Sequence, residues 1–130
     1  MKKITLIIFL IVSFSYIFGQ DNVSDSIYKN VEEMPEFPGG EDALLRYVQR
    51  SIRYPSYAAE NEIQGMVLVE FIVNEVGFIE NIKVLKGIKG GCDEEALRIV
   101  KSMPKWKPGK KDGYAVKTYY TVSVPFKIDY

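Results

Sequence analysis

The residues best able to do chemistry in this chain lie between Cys92 and Lys111. Cys92 is the only cysteine, and it stands beside a helix start, where a thiolate is favoured. A nucleophile of that kind needs a base, and the chain has no histidine. Ser-His and Cys-His catalysis, His-ligated metals and imidazole switching are therefore excluded. A single cysteine also rules out an intrachain disulfide. Cys92 thus reads as a small buried side chain. The acidic run Asp93-Glu94-Glu95 has the charge to hold a divalent cation, but its place in a first helical turn makes dipole compensation the simpler reading. Lys105, Lys107, Lys110 and Lys111 gather around Trp106, as a solvated basic loop with the indole packed inward. Gly87, Gly90 and Gly91 lack the following Gly-Lys-Ser/Thr of a phosphate loop. No matched nucleophile and base emerges, so the chain reads as a non-enzyme without metal or cofactor.

Charge points the same way. The 130 residues carry 17 basic and 17 acidic side chains. Without residues 1–19, which hold Lys2 and Lys3, the balance is 15 against 17, a net of −2. A nucleic-acid binder needs an excess of Lys and Arg, so no nucleic-acid partner is expected. Met1-Lys2-Lys3, the apolar run Ile4 to Phe18 and the small residue Gly19 form the pattern of a secretory leader. Residues 1–19 read as a cleaved signal peptide. The alternative is a short inner-membrane anchor through residues 4–18. Either reading delivers the rest to the periplasm.

The elements that must position any site follow from periodicity. Residues 20–37 are polar and end in Pro38-Gly39-Gly40; they read as a tether with little regular structure, from which Val31, Met34 and Phe37 can pack on the domain. Residues 38–130 form the domain. Glu41 and Asp42 open a helix whose buried face is Leu44, Leu45, Val48 and Ile52, stopped by Pro55. Ser56 to Asn61 reads as a short helix with Ser56 as its N-cap. Met66 to Val73 and Phe78 to Lys86 are strands joined by the turn Asn74-Glu75-Val76-Gly77, with a bulge near Glu80-Asn81. Asp93 to Met103 is a helix with an apolar stripe of Ala96, Leu97, Val100 and Met103. Lys105 to Gly113 is a loop. From Val116 to Ile128 the chain alternates strictly, and Pro125, which lacks an N–H, places this strand at a sheet edge. The expected core is Leu97, Val100, Val69, Phe71, Val122 and Val124. The order α-α-β-β-α-β gives an α+β class, a two-layer sandwich with a three-stranded antiparallel sheet and helices on one face.

This order, with particular residues, resembles the TonB C-terminal domain in the version found in Bacteroidetes-type energy transducers. The resemblance rests on Glu36-Phe37-Pro38-Gly39-Gly40 before the first helix, and on Tyr54-Pro55, Ala58 and Gln64-Gly65 leading into the first strand. Asn74 and Gly77 match at the hairpin. Asp93-Glu94-Glu95-Ala96 and Ser102-Met103-Pro104 bracket the last helix, and Trp106-Lys107-Pro108-Gly109-Lys110 precedes the last strand. It runs from about Glu32 to Ile128. It implies a periplasmic module that captures the TonB box, the extended N-terminal segment of a TonB-dependent outer-membrane transporter, as an added strand. It implies that Tyr54 and Pro55 lie near the peptide and that the edge strand is 117–125, with Lys117, Tyr119, Thr121 and Ser123 facing the ligand. The alternative implied role is an inner-membrane-anchored transducer subunit coupled to proton-driven motor proteins. Against that role stand the missing histidine and a spacer of 16 residues, Asp21 to Glu36, which reaches about 55 Å at most.

Overall fold

The computed structural model describes residues 26–129. The leader read at residues 1–19 lies outside them. The elements are β1 (Ile27–Tyr28), α1 (Glu41–Ser51), α2 (Ser56–Glu60), β2 (Gly65–Val73), β3 (Ile79–Lys86), α3 (Cys92–Lys101), β4 (Gly109–Lys111) and β5 (Tyr114–Phe126). The α+β class holds, and the expected order survives with two short strands added.

β5, β2 and β3 are antiparallel, with β2 in the centre. β2 is paired along both edges, and its two faces differ in cover. Its odd residues Val67, Val69, Phe71 and Val73 are fully buried. Opposite them in register stand Val124, Val122, Tyr120 and Thr118 of β5. These two rows face the helices and join one core with Leu44 and Val48 of α1, Ala58 of α2, and Ala96, Ile99 and Val100 of α3. α3 lies over β2 and β3, and α1 over β5.

The sheet has five strands where three were expected. β4 forms a hairpin with β5 through Asp112 and Gly113, both at positive φ (51° and 80°), the pair of conformations a two-residue hairpin turn requires. A basic three-residue strand carries no hydrophobic period, so it reads as loop. β1 pairs parallel with β5, Ile27 beside Lys117 and Tyr28 beside Thr118. The segment expected as a tether is therefore laid down on the fold from residue 26. Glu33 and Glu36 continue it with backbone bridges to Lys110 and Lys107, and Phe37 is buried.

Helix faces are shifted relative to expectation. In α1, Leu44 is buried but Leu45 is 54% exposed. Adjacent residues on a helix are about 100° apart, and here the core lies on the Leu44 side, which leaves Leu45 facing outward. In α3 the buried stripe is Cys92, Ala96, Ile99 and Val100, while Leu97 is half-buried at the margin. α2 is capped by Pro55, and Ser56 is its first helical residue, with no side-chain cap. The bulge expected near Glu80-Asn81 is present, with Asn81 at φ 50°, and a second register shift places an extra residue at Leu85.

The hairpin turn at the far end of β2 is built by Asn74. Its Oδ1 accepts the N–H groups of Val76 and Phe78, and its N–H donates to the Phe78 carbonyl. Gly77 closes the turn at φ 95° and accepts the Trp106 N–H at 2.9 Å. The indole of Trp106 then packs edge-on against Phe37, Phe71 and Tyr120, at centroid distances of 5.6, 5.3 and 4.8 Å. Its Nε1–H is buried with no hydrogen-bond partner.

Candidate functional site

A sheet without full closure exposes main-chain N–H and C=O groups along its edges. Here one edge is β3. Its two extra residues at Asn81 and Leu85 break the regular spacing a further strand would need. The other edge is the side of β5 away from β2. β1 covers it only at Lys117 and Thr118, and among the described residues no strand pairs there from Tyr119 to Phe126.

Strand geometry fixes which groups face that open side. Successive residues of a strand direct their N–H and C=O to opposite neighbours. Pro125 has no N–H to give to β2, so its position belongs to the outward set. The same parity sends the polar groups of Tyr119, Thr121 and Ser123 outward and keeps those of Tyr120, Val122 and Val124 on β2. Thr121 and Ser123 are exposed and Tyr119 half-buried, all with side chains on the face away from the helices.

Of the residues expected to face a ligand, Tyr119, Thr121 and Ser123 thus share the open edge. Lys117 does not. Its outward backbone lies against Ile27 of β1, and its Nζ reaches Glu80 at 3.6 Å. Tyr54 stands at the Pro125 end of the edge. Its hydroxyl donates to the Ile63 carbonyl, and its ring packs edge-on against Phe126 at 5.6 Å. Burial, and then the nearby Cys92, push its phenol pKa up. Tyr54 and Pro125, with Gln49 of α1 and Ile52 just past its end, line a surface hollow of about 420 Å³. Pro55 is turned inward to the loop before α3, where a Cβ on Gly91 would meet its ring at 3.1 Å. Tyr54 therefore borders the edge, while Pro55 holds the α2 and α3 starts together.

A second hollow, about 410 Å³, lies at the other end of the edge. Tyr120 of β5, Met34 to Phe37 of the preceding segment, and Gly40, Glu41 and Leu44 at the start of α1 line it. Burial, and then the charge of Glu41, raise the Tyr120 pKa. Between the two hollows runs one side of α1. Glu41, Leu45 and Gln49 are spaced i, i+4, i+8 and so share a helix face. The exposed Leu45 sits midway along this wall. Sequence reasoning missed the wall because it assigned Leu45 to the core; the spacing Glu41-Leu45-Gln49 was the signal for a second, outward face. A further hollow of about 510 Å³ flanks α3 along Glu94, Leu97 and Lys101.

The other candidates are structural. Asp93 Oδ1 accepts the N–H groups of Ile88 and Lys89 and so closes the loop before α3. Glu95 takes two bonds from Arg98, at 2.6 and 2.8 Å, and the Arg53 N–H at 2.6 Å. Those bonds, the Arg98 pair first, hold its carboxyl below the usual range. Arg98 also donates to the Ser51 carbonyl and so caps the end of α1. Among the described residues no group of His, Cys, Asp and Glu could hold a metal ion. Cys92 is fully buried, and burial followed by the three neighbouring acids pushes its thiol pKa up, away from reactivity. In the basic loop, Lys105 lies over the Phe78 ring and Lys111 over Tyr28.

The family model for the Gram-negative bacterial TonB protein C-terminal matches residues 50–128, more than half of the chain. The chain belongs to the TonB C-terminal family. Among solved structures it is similar to the Helicobacter pylori TonB C-terminal domain in solution. One such structure is 24% identical with a TM-score of 0.51, covering 66% of this chain and 90% of that one. A longer fragment of the same protein is 30% identical with a TM-score of 0.44, covering 71% and 89%. No curated protein sequence matches the chain. The TonB C-terminal domain is a periplasmic transducer and interaction domain, and its family interacts with TonB-dependent outer-membrane transporters. Among the described residues no helix is long and apolar enough to cross a membrane.

Proposed function

We propose that this TonB C-terminal domain captures the extended N-terminal segment of an outer-membrane transporter, the TonB box, as an added strand on β5. The observation that carries the reading is the unpaired run from Tyr119 to Pro125, next to an edge already used once by β1. Main-chain hydrogen bonds to Tyr119, Thr121, Ser123 and the Pro125 carbonyl supply affinity, and side-chain contacts supply choice. Side chains of the peptide on the helix side meet Leu45 and Gln49 of α1 and, at the Pro125 end, Ile52 and Tyr54. Such binding supports energised import by the transporter. Residues 1–19 serve as the leader that sends the chain to the periplasm.

The test is a titration of the 15N-labelled protein with a synthetic transporter N-terminal peptide. The amides of Tyr119, Thr121 and Ser123 should shift most and gain protection from solvent exchange. Changes confined to β3 or to α3, with these three amides unmoved, would refute the edge.

A further inference from the structure

Given that edge reading, we infer that the hollow at the Tyr120 end is a subsite for one basic side chain, Lys or Arg, of the captured peptide. A residue paired directly beside Tyr120 projects to the same face of the sheet as Tyr120 itself. That face is the one bounded by α1, so the side chain enters the hollow. Its lining is apolar at Pro35, Phe37 and Leu44 and includes two exposed acids, Glu36 and Glu41.

Both carboxylates are poised for a cation. Among the described residues, neither takes an ion pair or a hydrogen bond through its side chain. Three acids elsewhere in the fold do have a basic partner: Glu70 with Lys83, Glu80 with Lys117, Glu95 with Arg98. The position of Glu36 is fixed by its reciprocal backbone bonds with Lys107, at 2.9 and 2.8 Å. Glu41 is fixed as the first residue of α1. A Lys or Arg matches both features, since its methylene stem covers apolar lining while its charged head reaches the acids. An aliphatic residue satisfies only the apolar lining, and an acidic one is repelled. The segment before α1 therefore contributes to recognition as one side of this subsite.

The experiment uses nine-residue synthetic peptides of alternating Thr and Val, with Lys, Met or Glu placed at each position in turn, competed against a labelled transporter peptide. At one register position Lys should bind about fivefold tighter than Met, with Glu weakest, and the preference should shrink as salt rises. The double variant Glu36→Gln/Glu41→Gln should bring Lys and Met within about twofold, and Glu41→Lys should turn the preference toward Glu. Circular dichroism checks each fold. Equal binding of Lys and Met at every position, or a Lys preference that survives the double variant, overturns the subsite while the edge reading stands. If a folded Thr121→Pro variant binds every peptide as well as the parent, the edge reading fails and the subsite falls with it.

Discussion

Gly77→Ala tests how the turn after β2 is locked to the aromatic core. Gly77 sits at φ 95°, and a Cβ there would lie 1.9 Å from the Trp106 carbonyl oxygen and 3.0 Å from its carbonyl carbon. Both are backbone atoms, so no side-chain rotation relieves the contact. The left-handed conformation alone costs an L-residue roughly 1–2 kcal/mol. Parting the two segments also breaks the Trp106 N–H bond to the Gly77 carbonyl, worth about 0.5–1.5 kcal/mol. Together the loss should be about 1.5–3.5 kcal/mol, a large share of a small domain's stability. Glu75→Ala, on the exposed side of the same turn, should cost under about 0.5 kcal/mol. Trp106 is the sole tryptophan, so its emission during urea unfolding reports both stability and the displacement of its ring. A Gly77→Ala protein within about 0.5 kcal/mol of the parent, with unchanged native emission, would show that the clamp is not as described.

The packing of α3 predicts that Ile99→Ala costs about 2–5 kcal/mol and Leu97→Ala clearly less, because only Ile99 is fully enclosed. Urea melts returning the reverse order would mean the helix is rotated from the position given. Glu95 predicts acid sensitivity. Its carboxyl is held below the ordinary value of 4.5, so the folded state binds fewer protons than the unfolded one near that pH. The stabilisation it supplies is present above pH 4.5 and is lost as the pH falls below it. Glu95→Gln should be less stable at pH 7 by about 1–3 kcal/mol and should lose less on acidification; parallel losses in the two proteins would sink the assignment.

Much of this architecture was legible because long periodic segments announce themselves. The alternation from Val116 onward and the apolar run of β2 located the two longest strands, and Pro125 marked the side of β5 that has no partner. What escaped was of two kinds. β1 and β4 are two and three residues long, held by backbone pairing rather than by buried side chains, so no period betrays them. Leu45 and Leu97 were placed in the core because hydrophobic type was read without the angular limit of a helix face. The resemblance placed Lys117 on the binding edge, but the chain's own Ile27 already lies beside it. Glu36 and Tyr120 meet across a distance of more than 80 residues in sequence, and no local pattern connects them.

The central claim is that β5 receives a peptide through its outward main-chain groups from Tyr119 to Pro125. The measurement that reaches it most directly is calorimetric titration of a transporter N-terminal peptide into three proteins: the parent, Thr121→Pro and Thr121→Ala. Proline removes the outward N–H at Thr121 while leaving the bonds of Tyr120 and Val122 to β2 in place. The account predicts that Thr121→Pro stays folded by circular dichroism and loses binding, and that Thr121→Ala binds nearly as the parent does. A folded Thr121→Pro protein with undiminished affinity would contradict it.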